Sequence, residues 1–80
     1  MHLEIITPDK KVFAGEATSV TLPGSEGQFQ VLNRHAPLVS ALTKGDVVVD
    51  TGVAKQTYVI DGGVVEVLNN KVLVLAEAIL

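Results

Sequence analysis

The chain has 80 residues, 48% of them hydrophobic and 19% charged, and a formal net charge of −3. That length allows one domain with a small, densely packed core. Six scattered basic residues do not make the clustered surface that a phosphate backbone needs, the absence of cysteine removes disulfides and thiolate metal sites, and no apolar run reaches the roughly 20 residues of a membrane-spanning helix.

Aromatic content is one Tyr and two Phe, so the core must be aliphatic, and fourteen valines direct it towards strands. The opening Met1-His2-Leu3-Glu4 lacks the basic and then apolar regions of a secretory leader, so the chain reads as soluble and cytosolic. The first predicted strand is Leu3 to Thr7, stopped by Pro8-Asp9. Val12-Phe13 leads to Gly15. Glu16 to Leu22 follows, with Thr18, Val20 and Leu22 on one face and Ala17, Ser19 and Thr21 on the other, and Pro23-Gly24 ends it. Gln28 to Leu32 alternates, with Phe29 and Val31 sharing a side. Leu38 to Leu42 ends at Thr43-Lys44-Gly45. Asp46 to Asp50 carries consecutive valines, so both of its faces are candidates for burial. After Thr51-Gly52, Gln56, Tyr58 and Ile60 share a face of a strand that stops at Asp61-Gly62-Gly63. Short strands separated by closely spaced turn signals predict an all-β sandwich or barrel.

The clearest hairpin is "VVEVLNNKVLVL". Asn69-Asn70 suits a two-residue turn that needs positive φ. That register pairs Val67 with Val72 and Val65 with Val74 on a face that belongs in the core. Glu66 with Leu73 and Val64 with Leu75 make a mixed face, partly exposed or turned to a partner. The closing "LAEAIL" could begin a helix, but only a turn of it is present.

Reactive residues are sparse. His2 and His35 are the only imidazoles, and neither has further ligands at metal-binding spacing. Ser40 lies five residues from His35, and Asp46, Asp50 or Asp61 could orient a base, but no Gly-x-Ser-x-Gly elbow is present. Gly24-Ser25-Glu26-Gly27 carries an acid where a phosphate would sit, so its glycines are read as turn formers. The nine acids are spread along the chain and read mostly as solvated strand ends. The residues therefore predict a domain without catalysis, cofactor or metal that acts by packing against something else.

Three blocks carry a resemblance that covers nearly the whole chain. "ITPDKKVFAGEATSVTLPGSEGQFQVLNRHAPLVSALTKGDV" contains Phe-x-Gly-Glu, Pro-Gly-x-x-Gly and His-Ala-Pro-Leu in order. "IDGGVVEVLNNKVLVLAEAI" contains Gly-Gly-x-x-Glu-Val and the hairpin, and Val49 to Val59 between them is compatible in length. Together they resemble the N-terminal β-sandwich domain of the ε subunits of bacterial F-type ATP synthases. The resemblance implies one ten-stranded sandwich of two sheets over residues 1–80. It implies a non-catalytic rotor subunit without cofactors, peripheral to the cytoplasmic face of the bacterial inner membrane and monomeric when isolated. Its partners would be the γ shaft and the membrane-embedded c-ring.

On the matching positions, Ser25, Glu26, Gly27 and Gln28 would face the ring. Arg34, His35, Ala36, Pro37, Leu38, Ser40 and Leu42 would meet γ and the ring end. Gln28 stands where the family often has a second acid, and Gln30 where it usually has glycine. Near Leu32-Asn33 the family often has proline or another small residue. Pro37 restricts both itself and Ala36, giving the corner one shape. Arg34 offers a planar donor for carboxylates, and His35 can tie the corner or meet a neighbour; a solvated charge and a local structural imidazole are the plainer readings. The family usually continues past "LAEAI" into a helical pair that can restrain ATP hydrolysis and, in some members, bind ATP. The sequence given is expected to do neither. The alternative is a lipoyl- or biotinyl-carrier domain modified on Lys71, which follows the Asn69-Asn70 turn but lacks the Glu-Ala-Met-Lys or Asp-Lys-Ala context. A free-standing adaptor sandwich is a further possibility.

Overall fold

A computed structural model describes residues 1–80. The Asn69-Asn70 turn forms as its residues require: both asparagines have positive φ, 52° and 59°. It joins β6 (Lys55–Leu68) to β7 (Lys71–Ala76), pairing Val67 with Val72 and Val65 with Val74. All four valines are buried, while Glu66 and Leu75 opposite are exposed. Each such valine is worth about 1.5–3 kcal/mol when fully removed from water.

The remaining strands are β1 (His2–Thr7), β2 (Lys10–Glu16), β3 (Ser19–Gly24), β4 (Gly27–Leu32) and β5 (Leu38–Asp50). They form one sheet in the order β2-β1-β7-β6-β5-β3-β4, antiparallel except for the β1–β7 pair. Leu3 and Ile5 of β1 nevertheless share a core cluster with Val20 and Leu22 of β3, far across that order. The sheet must therefore fold over on itself, which makes it a sandwich.

The fold occurs along β5 and β6, which are 13 and 14 residues long. Their register runs from Leu38↔Val67 to Leu42↔Gly63, breaks, and resumes from Lys44↔Asp61 to Asp50↔Lys55. At the break Gly62 and Gly63 have φ of 110° and 153°. The first halves of these pairings lie with β2, β1 and β7 in one layer; the second halves lie with β3 and β4 in the other.

The sandwich class expected from sequence is thus present, with the segments joined differently. Leu38–Leu42 and Asp46–Asp50 are one bent strand, and Asp61-Gly62-Gly63 is a bend within a strand rather than its end. Counting the halves separately raises seven strands to nine, and the Ile60–Ile79 bridge supplies a tenth short piece. That bridge, with the Leu80 N–H donating to the Val59 carbonyl at 2.8 Å, places "LAEAIL" in extended pairing instead of a helical turn. The predicted strand from Glu16 to Leu22 begins only at Ser19. Ala17 is buried, its N–H donating to the Met1 carbonyl at 2.9 Å, and Thr18 is exposed, because the chain crosses between layers here.

Gly63 shows how tight the corner is. A Cβ there would lie 2.1 Å from the Leu75 carbonyl oxygen, on a backbone with φ of 153°. Gly63→Ala is expected to destabilise the domain by at least about 2 kcal/mol, combining backbone strain with overlap. A urea midpoint unchanged from that of the unsubstituted chain would contradict this.

Candidate functional site

The β3–β4 turn holds the first candidate group. Gly24 pairs with Gly27, whose φ is 126°, so the loop between them is minimal. At Gly24 a side chain would press on the Gly27 carbonyl and the Phe29 ring, 2.6 and 2.8 Å from its Cβ. Both glycines are thus explained by the turn itself. Ser25, Glu26, Gly27 and Gln28 are all exposed, and the Ser25 N–H donates to the Ala41 carbonyl at 3.0 Å. Glu26 makes no hydrogen bond or ion pair, so the tip offers a free carboxylate.

The second group begins at the other end of β4. From Gly27 to Leu32 is five residue steps, or roughly 17 Å of extended strand. Arg34 holds a left-handed conformation, φ 62°, and its N–H donates to Asn70 Oδ1 at 2.8 Å. Asn33 Oδ1 accepts from the Met1 ammonium, and the His35 N–H donates to the Leu32 carbonyl at 3.2 Å. The corner is therefore tied to the β6–β7 turn and to the start of the chain. Its backbone is shaped by these bonds, while the Arg34 guanidinium makes no ion pair. His35 Nδ1 lies 2.7 Å from the Ala36 carbonyl, which can only accept, so Nδ1 carries the proton and neutral His35 presents Nε2 as an acceptor.

From this corner β5 returns to Ala41, beside Ser25. The structure therefore keeps Arg34, His35, Ala36 and Pro37 apart from Ser25–Gln28 and connects them through β5. The strand's two faces divide these residues. Leu38, Ser40 and Leu42 lie on the inward side, opposite Val67, Val65 and Gly63. Leu42 is a buried core residue, and half-buried Leu38 packs against the core. The outward residues are Val39, 70% exposed, and Ala41, also exposed. Sequence reasoning missed them, although pairing with inward Val67 through β6 would have assigned the faces.

Of the other reactive side chains, Ser40, Asp50 and His2 are engaged locally, and Lys71 is not. The Ser40 hydroxyl donates to the Ala41 carbonyl at 3.3 Å and not to His35. Asp50 Oδ1 accepts from the Gly52 N–H at 2.8 Å. Lys71 is exposed at the start of β7, opposite Leu68. His2 sits between two acids, with Nε2 3.0 Å from Glu4 and Nδ1 3.5 Å from Glu16, and Lys11 lies 3.5 Å from Glu4. The hydrogen bond from His2, aided by the Lys11 charge, holds the Glu4 carboxyl below its ordinary value of 4.5. No three His, Asp or Glu side chains converge as a metal site would need.

The arrangement is an aliphatic sandwich with an exposed turn at one end of β4, a hydrogen-bonded corner at the other and an apolar strand face between. The chain belongs to the family described as "ATP synthase, Delta/Epsilon chain, beta-sandwich domain", whose profile matches residues 1–80. It is 43% identical over 76 residues to the ATP synthase epsilon chain of Chlorobium limicola, covering 94% of this chain and 86% of that one. It is 40% identical over 76 residues to the epsilon chain of Rhodopseudomonas palustris strain BisB5, but spans only 56% of that protein. Among solved structures, a chain of the Euglena gracilis mitochondrial ATP synthase superposes with TM-score 0.90 at 27% identity, covering 98% of this chain and 51% of that one. A chain of the Tetrahymena thermophila mitochondrial ATP synthase central stalk and c-ring has TM-score 0.86 at 15% identity, a likeness of fold, covering 99% and 64%.

Two measurements check the local chemistry. Long-range 15N–1H correlation spectra at neutral pH should show His35 protonated on Nδ1, and an Nε2–H tautomer would contradict the hydrogen bond described. His2→Ala should raise the Glu4 pKa towards 4.5 in a carboxyl 13C titration. The sign follows from linkage: a carboxylate depressed in the folded state contributes stability above its unfolded pKa and loses it as pH falls through the folded one. The variant should therefore lose the Glu4 contribution at neutral pH, and its stability should fall less on acidification than that of the unsubstituted chain.

Proposed function

We propose that this chain is a non-catalytic rotor element of a proton-translocating F1Fo ATP synthase. It fastens γ to the c-ring so that torque made in the membrane reaches the nucleotide sites. The observation that carries this reading is the family match along all 80 residues. Its likeness to a chain of the Euglena synthase in fold and sequence supports the same placement. The complex would place it at the cytoplasmic face of the bacterial inner membrane, as a peripheral component.

The division of the surface supports two simultaneous contacts. Ser25–Gln28, with the unpaired Glu26, is assigned to the polar loops of the ring. Arg34 to Pro37 is assigned to γ, followed by the outward rather than the inward residues of β5. The two sites are a strand length apart, so one body can touch both partners without moving. Arg34 is free of internal ion pairs, so its guanidinium is available to a partner carboxylate.

Binding to the cognate γ subunit tests the assignment. Arg34→Ala should weaken γ binding several-fold, to about tenfold, with no change in thermal stability, because only its backbone is used in the fold. His35→Ala should also weaken binding. An unmodified chain that does not bind γ would remove the stalk reading.

A further inference from the structure

Asn70 closes the β6–β7 hairpin, yet its side chain serves none of the hairpin's needs. A two-residue turn with positive φ at both positions is best formed by Asn followed by Gly. Here the second position is Asn70, with φ of 59°, and a side chain is kept where glycine would relieve the backbone. That side chain reaches out of the turn. Its Oδ1 accepts the Arg34 N–H at 2.8 Å, from 36 residues away in sequence. The Asn70 carbonyl accepts the His2 N–H at 3.2 Å, so the turn is itself fixed to the start of β1. Arg34, at φ 62°, is the one non-glycine residue outside this turn with positive φ. The bond from Asn70 is the only hydrogen bond that Arg34 makes, and its guanidinium has no ion pair. The residues on either side are held differently, Asn33 by the Met1 ammonium and His35 by the Leu32 carbonyl.

We propose, on the stalk reading above, that Asn70 is a positioning residue for the γ contact, acting through the Arg34 backbone to aim the Arg34 guanidinium. The two flanking bonds already tie the corner to the body of the domain, so the Asn70 bond is not needed to keep the loop in place. What it alone fixes is the conformation of Arg34. A non-glycine residue disfavours the left-handed region, and release of its N–H lets φ return to negative values. That change swings the Cα–Cβ bond, and with it the whole side chain. A guanidinium pairs with carboxylates through a planar fork, so its direction decides whether the pairing forms. Setting that direction before the partner arrives lowers the ordering that binding must supply. The hairpin alone would favour glycine after Asn69, so the side chain at position 70 is explained by the corner and not by the turn.

The test is calorimetric binding of the 80-residue chain to its purified cognate γ subunit, joined to amide hydrogen exchange at Arg34. Asn70→Gly removes Oδ1 and gives the turn the residue it favours, so thermal unfolding should show the hairpin and its valine face intact. Exchange at the Arg34 N–H should become faster, and γ binding should weaken about threefold to tenfold, most of the loss seen in Arg34→Ala. Asn70→Asp keeps an acceptor oxygen, so it should restore protection at Arg34 and bring binding back to within about twofold of the unmodified chain. In an Arg34→Ala chain, adding Asn70→Gly should change binding by less than about twofold, because the guanidinium that Asn70 directs is gone. A merely structural role would lower affinity equally in both backgrounds. If Arg34→Ala weakens binding but Asn70→Gly does not, or if the two losses add, the positioning role is overturned and the stalk reading stands. If Arg34→Ala leaves binding unchanged, the role of Asn70 falls with the Arg34 contact, and the stalk reading again stands. Thermal stability lost in both Asn70 variants would make Asn70 a folding residue and overturn the proposal. No binding by the unmodified chain removes the stalk reading and the positioning role together.

Discussion

The close approach of Gly63 to the Leu75 carbonyl is the contact on which the architecture depends. Two long strands pass from one layer to the other without breaking, and they do so where β7 crosses the bend. Only a residue without a side chain fits between the backbones, and only glycine is at ease with the φ adopted. Because β5 and β6 each belong to both layers, the layers cannot slide past each other without breaking the β5–β6 ladder. The single core cluster that Leu3, Val20, Val47 and Val65 share is a consequence of that bend. A domain of this size buries a modest fraction of its surface, and continuous strands reduce the number of independent pieces that must be held.

The two exposed segments inherit their positions from the same strands. β4 sets the distance between the Ser25-Glu26 turn and the Arg34 corner. β5 carries the chain back, so that Ala41 accepts the hydrogen bond from Ser25. Asn70, whose own positive φ is demanded by the hairpin, uses its side chain to hold Arg34 in a conformation that a non-glycine residue rarely adopts. A turn formed for one hairpin thus braces another loop. This leaves the Arg34 side chain free, because the fold uses only its amide.

The hairpin was fully legible in the sequence. Val65, Val67, Val72 and Val74 alternate strictly about Asn69-Asn70, and the turn fixes the register, so the buried face follows. The corner was not. Thr43-Lys44-Gly45 and Asp61-Gly62-Gly63 look locally like strand ends, and glycine marks a bend in a continuing strand with the same residue that marks a turn. The resemblance implied the ten-stranded count, but not which pieces were joined. In the segment after Pro37 the sequence shows an apolar run but not its faces. Leu38 and Val39 are both apolar, as are Ala41 and Leu42, so alternation carries no information there. Only pairing with β6 decides that Leu42 enters the core and Val39 leaves it. Arg34's free side chain and Glu66's lack of partners were equally invisible, because both depend on what lies within a few ångströms in three dimensions.

That distribution of polar groups separates two uses of charge on one small body. On the β1–β2 side, His2, Glu4, Lys11 and Glu16 satisfy one another at the surface, where such pairs add solubility more than stability. At Glu26, Arg34 and Glu66 the charges have no internal answer. Two lie on opposite ends of β4, and one stands in an apolar strand face beside the second. The bent sheet fixes the separation of these charges, and Val39, Val64 and Leu68 leave apolar area exposed beside Glu66.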